Sequence, residues 1–472
     1  IWLLREQPSE TKQILVFLLS KMPQWPLRQR LSDQDANISK LDLIAYPVLT
    51  LPPEITAEIF KWCIDTDKRL LPSMAPLLLT RICRDWRDLA FSTPALWDTI
   101  TEIDFGVHPR AEAFVETWFS RAGTCPLSLG IIASESLFSA CLESVILQHA
   151  SRLQSLDVMT NAEALCNLTA IPSFPILRNL ELSNLDDYCD DEHDIQFIIQ
   201  FIWINDAPIL RHLSLDCVRP STAFMPWTQL TKMTLSLLPL SECLIALRWA
   251  TSLQEFCRRE SRPEEGDQST SEVSTMHHSC LISLAISSYA DEDILPLLTL
   301  PCLQRFELGG HFAAYQTYLD ADIIPFLSRV SGTLRAFKIG LSPTVPVQWF
   351  RPLTQLTTLE LVRSMPFKTD IIHALNRRAL PDFLPKLQSF VISSCGSDQV
   401  DDELLDALGS RCDATDAAHL KLESFSLIWP EFDYRPEAPA VRLPLVNVLP
   451  LRALAGRGMR IHIGTRDQNS FY

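Results

Sequence analysis

The sequence predicts an α/β protein: a small all-helical module near the N-terminus, followed by an irregular solenoid of stacked strand-and-helix units. Three observations carry this expectation. Across residues 46–100, apolar side chains recur at spacings of three and four, the period of helices buried along one face. Beyond residue 150, the pattern apolar-x-x-apolar-x-apolar returns repeatedly, and its last three positions alternate as a short strand does. Helical patterns fill the longer intervals between copies, at residues 195–204, 323–330, 371–378 and 403–408.

Residues 1–45 read as a helical lead-in. Leu27, Leu31, Ile38, Leu41 and Ile44 fall near a heptad register with Arg28, Arg30, Asp33, Asp35 and Lys40 between them, but only about two heptads are present, too few for a stable coiled coil. In residues 46–100, Pro52 and Pro53 suit the first turn of a helix, where a missing N–H loses no partner, so a helix is expected from about residue 52. Ile55, Ile59 and Phe60 share one face of it, continued by Trp62 and Cys63. Leu78, Leu79, Ile82, Cys83, Trp86, Leu89 and Ala90 form the stripe of a second helix, opposite Arg81, Arg84, Asp85, Arg87 and Asp88. Thr93-Pro94 ends that helix, because proline pushes the residue before it out of the α region. Leu96 and Trp97 follow as an apolar plug.

So short a module buries a small fraction of its surface, and its exposed apolar groups call for a partner. In order, spacing and residue type, residues 46–100 resemble the F-box, the helical module by which substrate receptors attach to cullin-type ubiquitin ligases. The resemblance implies a Skp-type adaptor as partner and, through it, a cullin. Leu51, Pro52, Glu54, Ile55, Ile59 and Phe60 would form the first contact element, and Leu79, Cys83, Trp86, Leu96 and Trp97 the second.

Residues 101–150 read as a junction and cap. Strand-like residues 96–103 and 126–132 flank a helical 110–122, and WFSRAGTCPLSLGI at 118–131 looks like the segment that follows the F-box in many fungal F-box proteins. The repeats then occupy 151–472. Their apolar triplets are Leu153/Leu156/Val158, Leu177/Leu180/Leu182, Leu210/Leu213/Leu215, Leu230/Met233/Leu235, Leu281/Leu284/Ile286, Leu303/Phe306/Leu308, Leu334/Phe337/Ile339, Leu356/Leu359/Leu361, Leu387/Phe390/Ile392 and Leu422/Phe425/Leu427, with a weaker copy at Leu253/Phe256. From Leu153 to Leu422 there are ten intervals over 269 residues, about 27 residues each, within the range of leucine-rich repeats. One such strand cannot bury its inward residues alone, so the units must stack. The copies are degenerate: the Asn or Cys expected three residues after the last apolar position appears only as Asn161 and Cys395. Residues 258–278 read as a charged, serine-rich flexible insertion, and the tail from Pro436 as an extended cap with a last strand near 459–463.

Stacking would align the outward strand positions on one continuous surface. Those offered for a protein substrate are Asn179, Glu181, His212, Ser214, Arg305, Glu307, Lys338, Thr358 and Glu360, with Ser155, Asp157, Lys232, Thr234, Ser389 and Ser424 beside them.

Composition narrows the function classes. Only 13 of 472 residues are glycine, and neither G-x-G-x-x-G nor G-K-[ST] occurs, so no phosphate-cradling loop is indicated. A net charge of −16 opposes a nucleic-acid or anionic-membrane surface. Thirteen cysteines, an odd number without C-x-x-C, fit a reducing cytoplasmic or nuclear compartment, and no apolar run approaches the ~18 residues of a membrane span. The acids Asp186, Asp187, Asp190, Asp191, Glu192 and Asp194 lack the order of a calcium loop, and His277, His278 and Cys280 lack a second zinc ligand pair. With no G-x-S-x-G or H-E-x-x-H, no catalytic residue, metal or cofactor is expected. The expectation is a substrate-receptor subunit of a Skp-cullin-F-box ubiquitin ligase. The alternatives are a non-catalytic leucine-rich-repeat scaffold and an F-box protein acting outside ubiquitination.

Overall fold

The structure is a computed structural model that describes residues 51–64, 73–108, 110–134, 137–138, 141–188, 202–204, 206–259, 275–287, 294–309, 320–340, 346–362, 370–393, 400–412, 419–429 and 445–465. The lead-in, most of the 258–278 insertion, the acids from Asp190 to Asp194 and the proline-rich part of the tail lie outside these residues. Backbone contacts divide the chain into two compact units, one ending at Leu96 and the other running on from Trp97.

In the first unit, helix α1 spans Pro53–Trp62, with Pro52 at its N-cap and Pro53 at the first helical position. The expected second helix is two. Cys83 is extended (φ −150°, ψ 173°) and separates α2, Leu79–Ile82, from α3, Arg84–Phe91. A cap explains the break: the Cys83 sulfur accepts a hydrogen bond from the Trp86 amide at 3.4 Å. The Arg87 side chain then crosses the break and donates to the Thr80 carbonyl at 2.7 Å. Phe60 of α1 is buried, with its ring edge against Trp86 of α3 at 4.9 Å between centroids.

Among the described residues, the second unit is built on one sheet of 14 strands. These are β1 Thr99–Asp104, β2 Leu127–Ile132, β3 Leu153–Thr160, β4 Asn179–Asn184, β5 His212–Asp216, β6 Lys232–Ser236, β7 Glu255–Arg258, β8 Ser283–Ile286, β9 Arg305–Leu308, β10 Ala336–Gly340, β11 Thr358–Val362, β12 Ser389–Ser393, β13 Ser424–Ile428 and β14 Arg460–Gly464. Every neighbouring pair is parallel and the strands lie in chain order. This corrects the predicted fold class, an all-helical F-box followed by an irregular leucine-rich-repeat-like solenoid. What forms is one continuous 14-stranded parallel sheet with short helices, and the chain enters it at Thr99, inside the 46–100 stretch assigned to the helical module. The unequal intervals do not interrupt the sheet, because each ladder pairs only four to six residues and the connections absorb the remainder.

The triplet leucines and phenylalanines supply the buried side of this sheet. From β3 to β13 the middle and last positions of the pattern pair in register, as in Leu180 with Leu213 and Phe337 with Leu359, and their side chains are buried; all are apolar except Arg258 at the last position of β7. Phe306 and Phe337 stack with parallel rings at 5.3 Å. Helices Leu240–Trp249, Asp320–Val330, Asp370–Leu375 and Asp402–Cys412 occupy connections between strands.

The irregular connections need partners for their backbone carbonyls, and arginines supply several. Arg152 reaches the Cys125 carbonyl at 2.9 Å, and Arg329 reaches those of Leu295 and Leu298 at 2.9 and 3.2 Å. Arg411 is buried and donates to the carbonyls of Leu375, Phe383 and Leu384 at 2.6, 2.5 and 3.0 Å. Burial, with Arg377 nearby, pushes its guanidinium down to about 9, which leaves it charged at neutral pH.

At the start of the sheet, β1 carries a bulge. Ile100 pairs with Leu129 and Ile103 with Ile131, so Thr101 and Glu102 together oppose Gly130. Only glycine fits there: a Cβ on residue 130 would stand 2.0 Å from the Thr101 carbonyl oxygen, a backbone atom that cannot swing away. Gly130→Ala is therefore expected to destabilise the second unit by about 1–3 kcal/mol, the range of an overpacking change. Urea denaturation should give a lower midpoint than wild type, and an unchanged midpoint would refute the close approach.

Candidate functional site

Two surfaces hold the residues singled out by sequence. The first is on α1 to α3. Pro52, Glu54 and the apolar Leu51, Ile55 and Ile59 are exposed, the last three by 37, 50 and 41 %. Trp62, one turn beyond Ile59, is 88 % exposed. Ile55, Ile59 and Trp62 sit at i, i+4 and i+7, so one apolar stripe of α1 faces solvent while Thr56 and Phe60 face inward. Cys83 and Trp86 are half-buried, the first as the cap and the second against Phe60. Phe60, Leu79 and Leu96 are interior.

Trp97 belongs to the second unit and is fully buried there, edge-on to Trp118 at 4.8 Å and beneath the Arg121 guanidinium at 4.5 Å. Of the eleven residues assigned to adaptor contact, the structure therefore keeps Leu51, Pro52, Glu54, Ile55 and Ile59 together on an open surface. It turns Phe60, Leu79, Leu96 and Trp97 into core. Sequence periodicity could not make this division, because an apolar stripe reads the same whether it packs inward or faces a partner.

The second surface is the outward face of the sheet, where register sets two rows. One row contains Asn179, His212, Lys232, Glu255, Ser283, Arg305, Ala336 and Thr358. The other contains Asp157, Glu181, Ser214, Thr234, Cys257, Ala285, Glu307, Lys338 and Glu360. All nine residues offered for substrate contact lie on these rows. Several are already engaged: Arg305 pairs with Glu255 at 2.7 Å, Lys338 pairs with Glu307 at 2.6 Å, and Glu360 accepts from Ser393 at 2.8 Å. Glu181 accepts from Ser214 at 3.2 Å. Lys232 approaches Glu255 from the other side at 3.8 Å, so Glu255 sits between two cations. Sequence reasoning omitted Glu255 because its strand lies in the weakest repeat copy, although it follows Leu253 by two residues just as Lys232 follows Leu230.

Charge differs along this face. Lys232, Arg305 and Lys338 each have a carboxylate beside them, whereas at the beginning of the sheet Asp157 has acids as neighbours. Burial, then repulsion from Glu181 and from Glu102 on the β1 bulge, pushes Asp157 up to about 7. His212 is held below its ordinary value by burial and by Lys232.

Other sequence candidates have structural roles. The ring of buried His278 lies 3.0 Å from the Ala250 carbonyl through Nε2, a contact that makes that nitrogen the donor. Among the described residues no group of three or more His, Cys, Asp or Glu could hold a metal ion, and no helix is long and apolar enough to cross a membrane. No protein-family model matches the chain, and no curated protein matches it.

The Asp157 environment has a measurable consequence. Its folded value lies above the ordinary 3.8, so the folded state favours the protonated carboxyl, and the contribution of Asp157 to stability falls as pH rises from about 4 to about 7. Asp157→Asn removes that dependence. The variant is expected to match wild type below pH 4 and to exceed it by an amount on the order of 1–3 kcal/mol above pH 7. Denaturant midpoints across pH 4–8 check this, and a gap that does not open over that window would contradict it.

Proposed function

We propose that this chain is the substrate-receptor subunit of a Skp-cullin-F-box ubiquitin ligase, in which α1 and its neighbours dock a Skp-type adaptor and the outward sheet face takes a protein substrate. The observation that carries the reading is the exposed stripe Ile55, Ile59 and Trp62 on a helix opened by Leu51-Pro52-Pro53. Large apolar side chains aligned on one helix face are costly to leave in water and suit a helix-in-groove partner. Residue order across 46–100 supports the choice of a Skp-type adaptor as that partner. The buried Phe60, Leu79 and Leu96 hold the module together in this reading, and the contact passes through Leu51, Pro52, Glu54, Ile55, Ile59 and Trp62.

In this function the chain supplies no acid, base or nucleophile. It holds a target lysine near a conjugating enzyme carried by the same assembly, so the gain is effective concentration. The paired rows of the sheet face offer polar contacts of both signs for a protein segment. Among the described residues no cysteine is joined in a disulfide, which supports a cytoplasmic or nuclear setting.

The test is co-purification of the full chain with a Skp-type adaptor and cullin. Wild type should retain both. Ile55→Asp/Ile59→Asp should weaken adaptor binding about 10–100-fold, the loss of one or two interface anchors, with unchanged circular dichroism. Failure of wild type to hold the adaptor would defeat the proposal, and retention of adaptor without cullin would assign the chain a role outside ubiquitination.

A further inference from the structure

Two exposed cysteines, Cys280 and Cys302, occupy equivalent positions before successive strands of the second unit. Their equivalence follows from pairing on both sides. Before them, the short parallel pair Met276–His277 and Leu298–Thr299 aligns Met276 with Leu298 and His277 with Thr299, and the His278 amide continues to the Thr299 carbonyl at 3.1 Å. After them, β8 and β9 align Ser283 with Arg305, and the Gln304 amide already reaches the Ile282 carbonyl at 2.8 Å. Both pairings join residues 22 apart (298 − 276 and 305 − 283), and Cys302 follows Cys280 by the same 22.

Strands paired this way stand about 4.8 Å apart, inside the range of roughly 4.4–6.8 Å between Cα atoms that a disulfide spans. A disulfide also needs its Cβ atoms within about 3.5–4.5 Å, which asks for a small further approach. Cys280 lies in a bend and Cys302 in a turn, each just outside a ladder, where the backbone can make that adjustment. His278, Leu281, Leu300 and Leu303 around them are buried, which anchors the flanking residues while leaving both cysteines exposed.

The geometry points to a redox modification site: Cys280 and Cys302 form a reversible disulfide that staples the segments leading into β8 and β9. The oxidant is a peroxide. One thiolate attacks a peroxide oxygen of hydrogen peroxide, giving a sulfenic acid and releasing hydroxide. The second thiolate then attacks the sulfenic sulfur and expels its oxygen as hydroxide, which is protonated to water. In sum, two thiols and one hydrogen peroxide give one disulfide and two waters. The cysteines lose two electrons and two protons, and a dithiol reductant reverses the step.

The intact chain, treated with stoichiometric hydrogen peroxide, alkylated and cleaved after glutamate, separates Cys280 from Cys302 at Glu292 unless a disulfide joins them. The expected result is a linked peptide pair at least tenfold more abundant than over-oxidised Cys280, lost on treatment with dithiothreitol. In Cys302→Ser, which alters an exposed turn residue, Cys280 should instead be trapped as sulfenic acid by dimedone. Separate sulfinic acids or separately alkylated thiols in wild-type protein, with native circular dichroism, would overturn the assignment.

Discussion

The second unit depends on one constraint, the parallel pairing of each strand with the next in chain order. A parallel strand points its backbone N–H and C=O groups to both neighbouring strands, so each strand is held only when its successor is in register. Burial of the apolar positions fixes that register, because a slip of one residue would turn Leu213, Phe337 or Leu359 outward and expose Ser214, Lys338 or Glu360 to the interior. Irregular length is tolerated because it falls in the connections, whose carbonyls are met by side chains such as Arg329 and Arg411.

The same register builds the outward rows. Glu255 meets Lys232 and Arg305 only because β6, β7, β8 and β9 stack without an offset, and Lys338 meets Glu307 for the same reason. Exposed pairs of this kind contribute little stability, typically below about 1 kcal/mol each. Their effect is to set the charge pattern offered to a partner. The bulge opposite Gly130 adds Glu102 to the neighbourhood of Asp157, so the beginning of the sheet differs electrostatically from its middle. The first unit contributes a different surface, an apolar helix stripe that its own core leaves in solvent.

Much of the strand content was legible in the sequence. The middle and last apolar positions of each triplet are residues the strands bury, since a half-buried strand imposes a period of two that loops do not. The extent of the sheet was less legible. Residues 96–103 and 126–132 read as strand-like, but 46–100 reads as the helical module and 101–150 as a junction, because β1 is bulged and its triplet Ile100/Ile103/Phe105 overlaps the end of the helical stretch. The two strands instead begin the sheet. The break at Cys83 was hidden because a cysteine cap leaves the helical period of Leu78–Ala90 intact across it. For the candidate surfaces, residue type and spacing located the outward rows and α1. They could not separate Ile55 and Ile59 from Phe60, since exposure depends on what Trp86 packs against, and they could not identify Glu255 as the acid between two cations.

Amide hydrogen exchange across the second unit tests the central claim most directly, because each backbone amide in a continuous ladder is released only when its strand pairing opens. Strands β5 to β13 should exchange slowest as one contiguous block that includes Phe256 and Leu284, with faster exchange at the terminal strands β1 and β14. Fast exchange in β7 or β8, dividing the protected block in two, would contradict a single 14-stranded sheet.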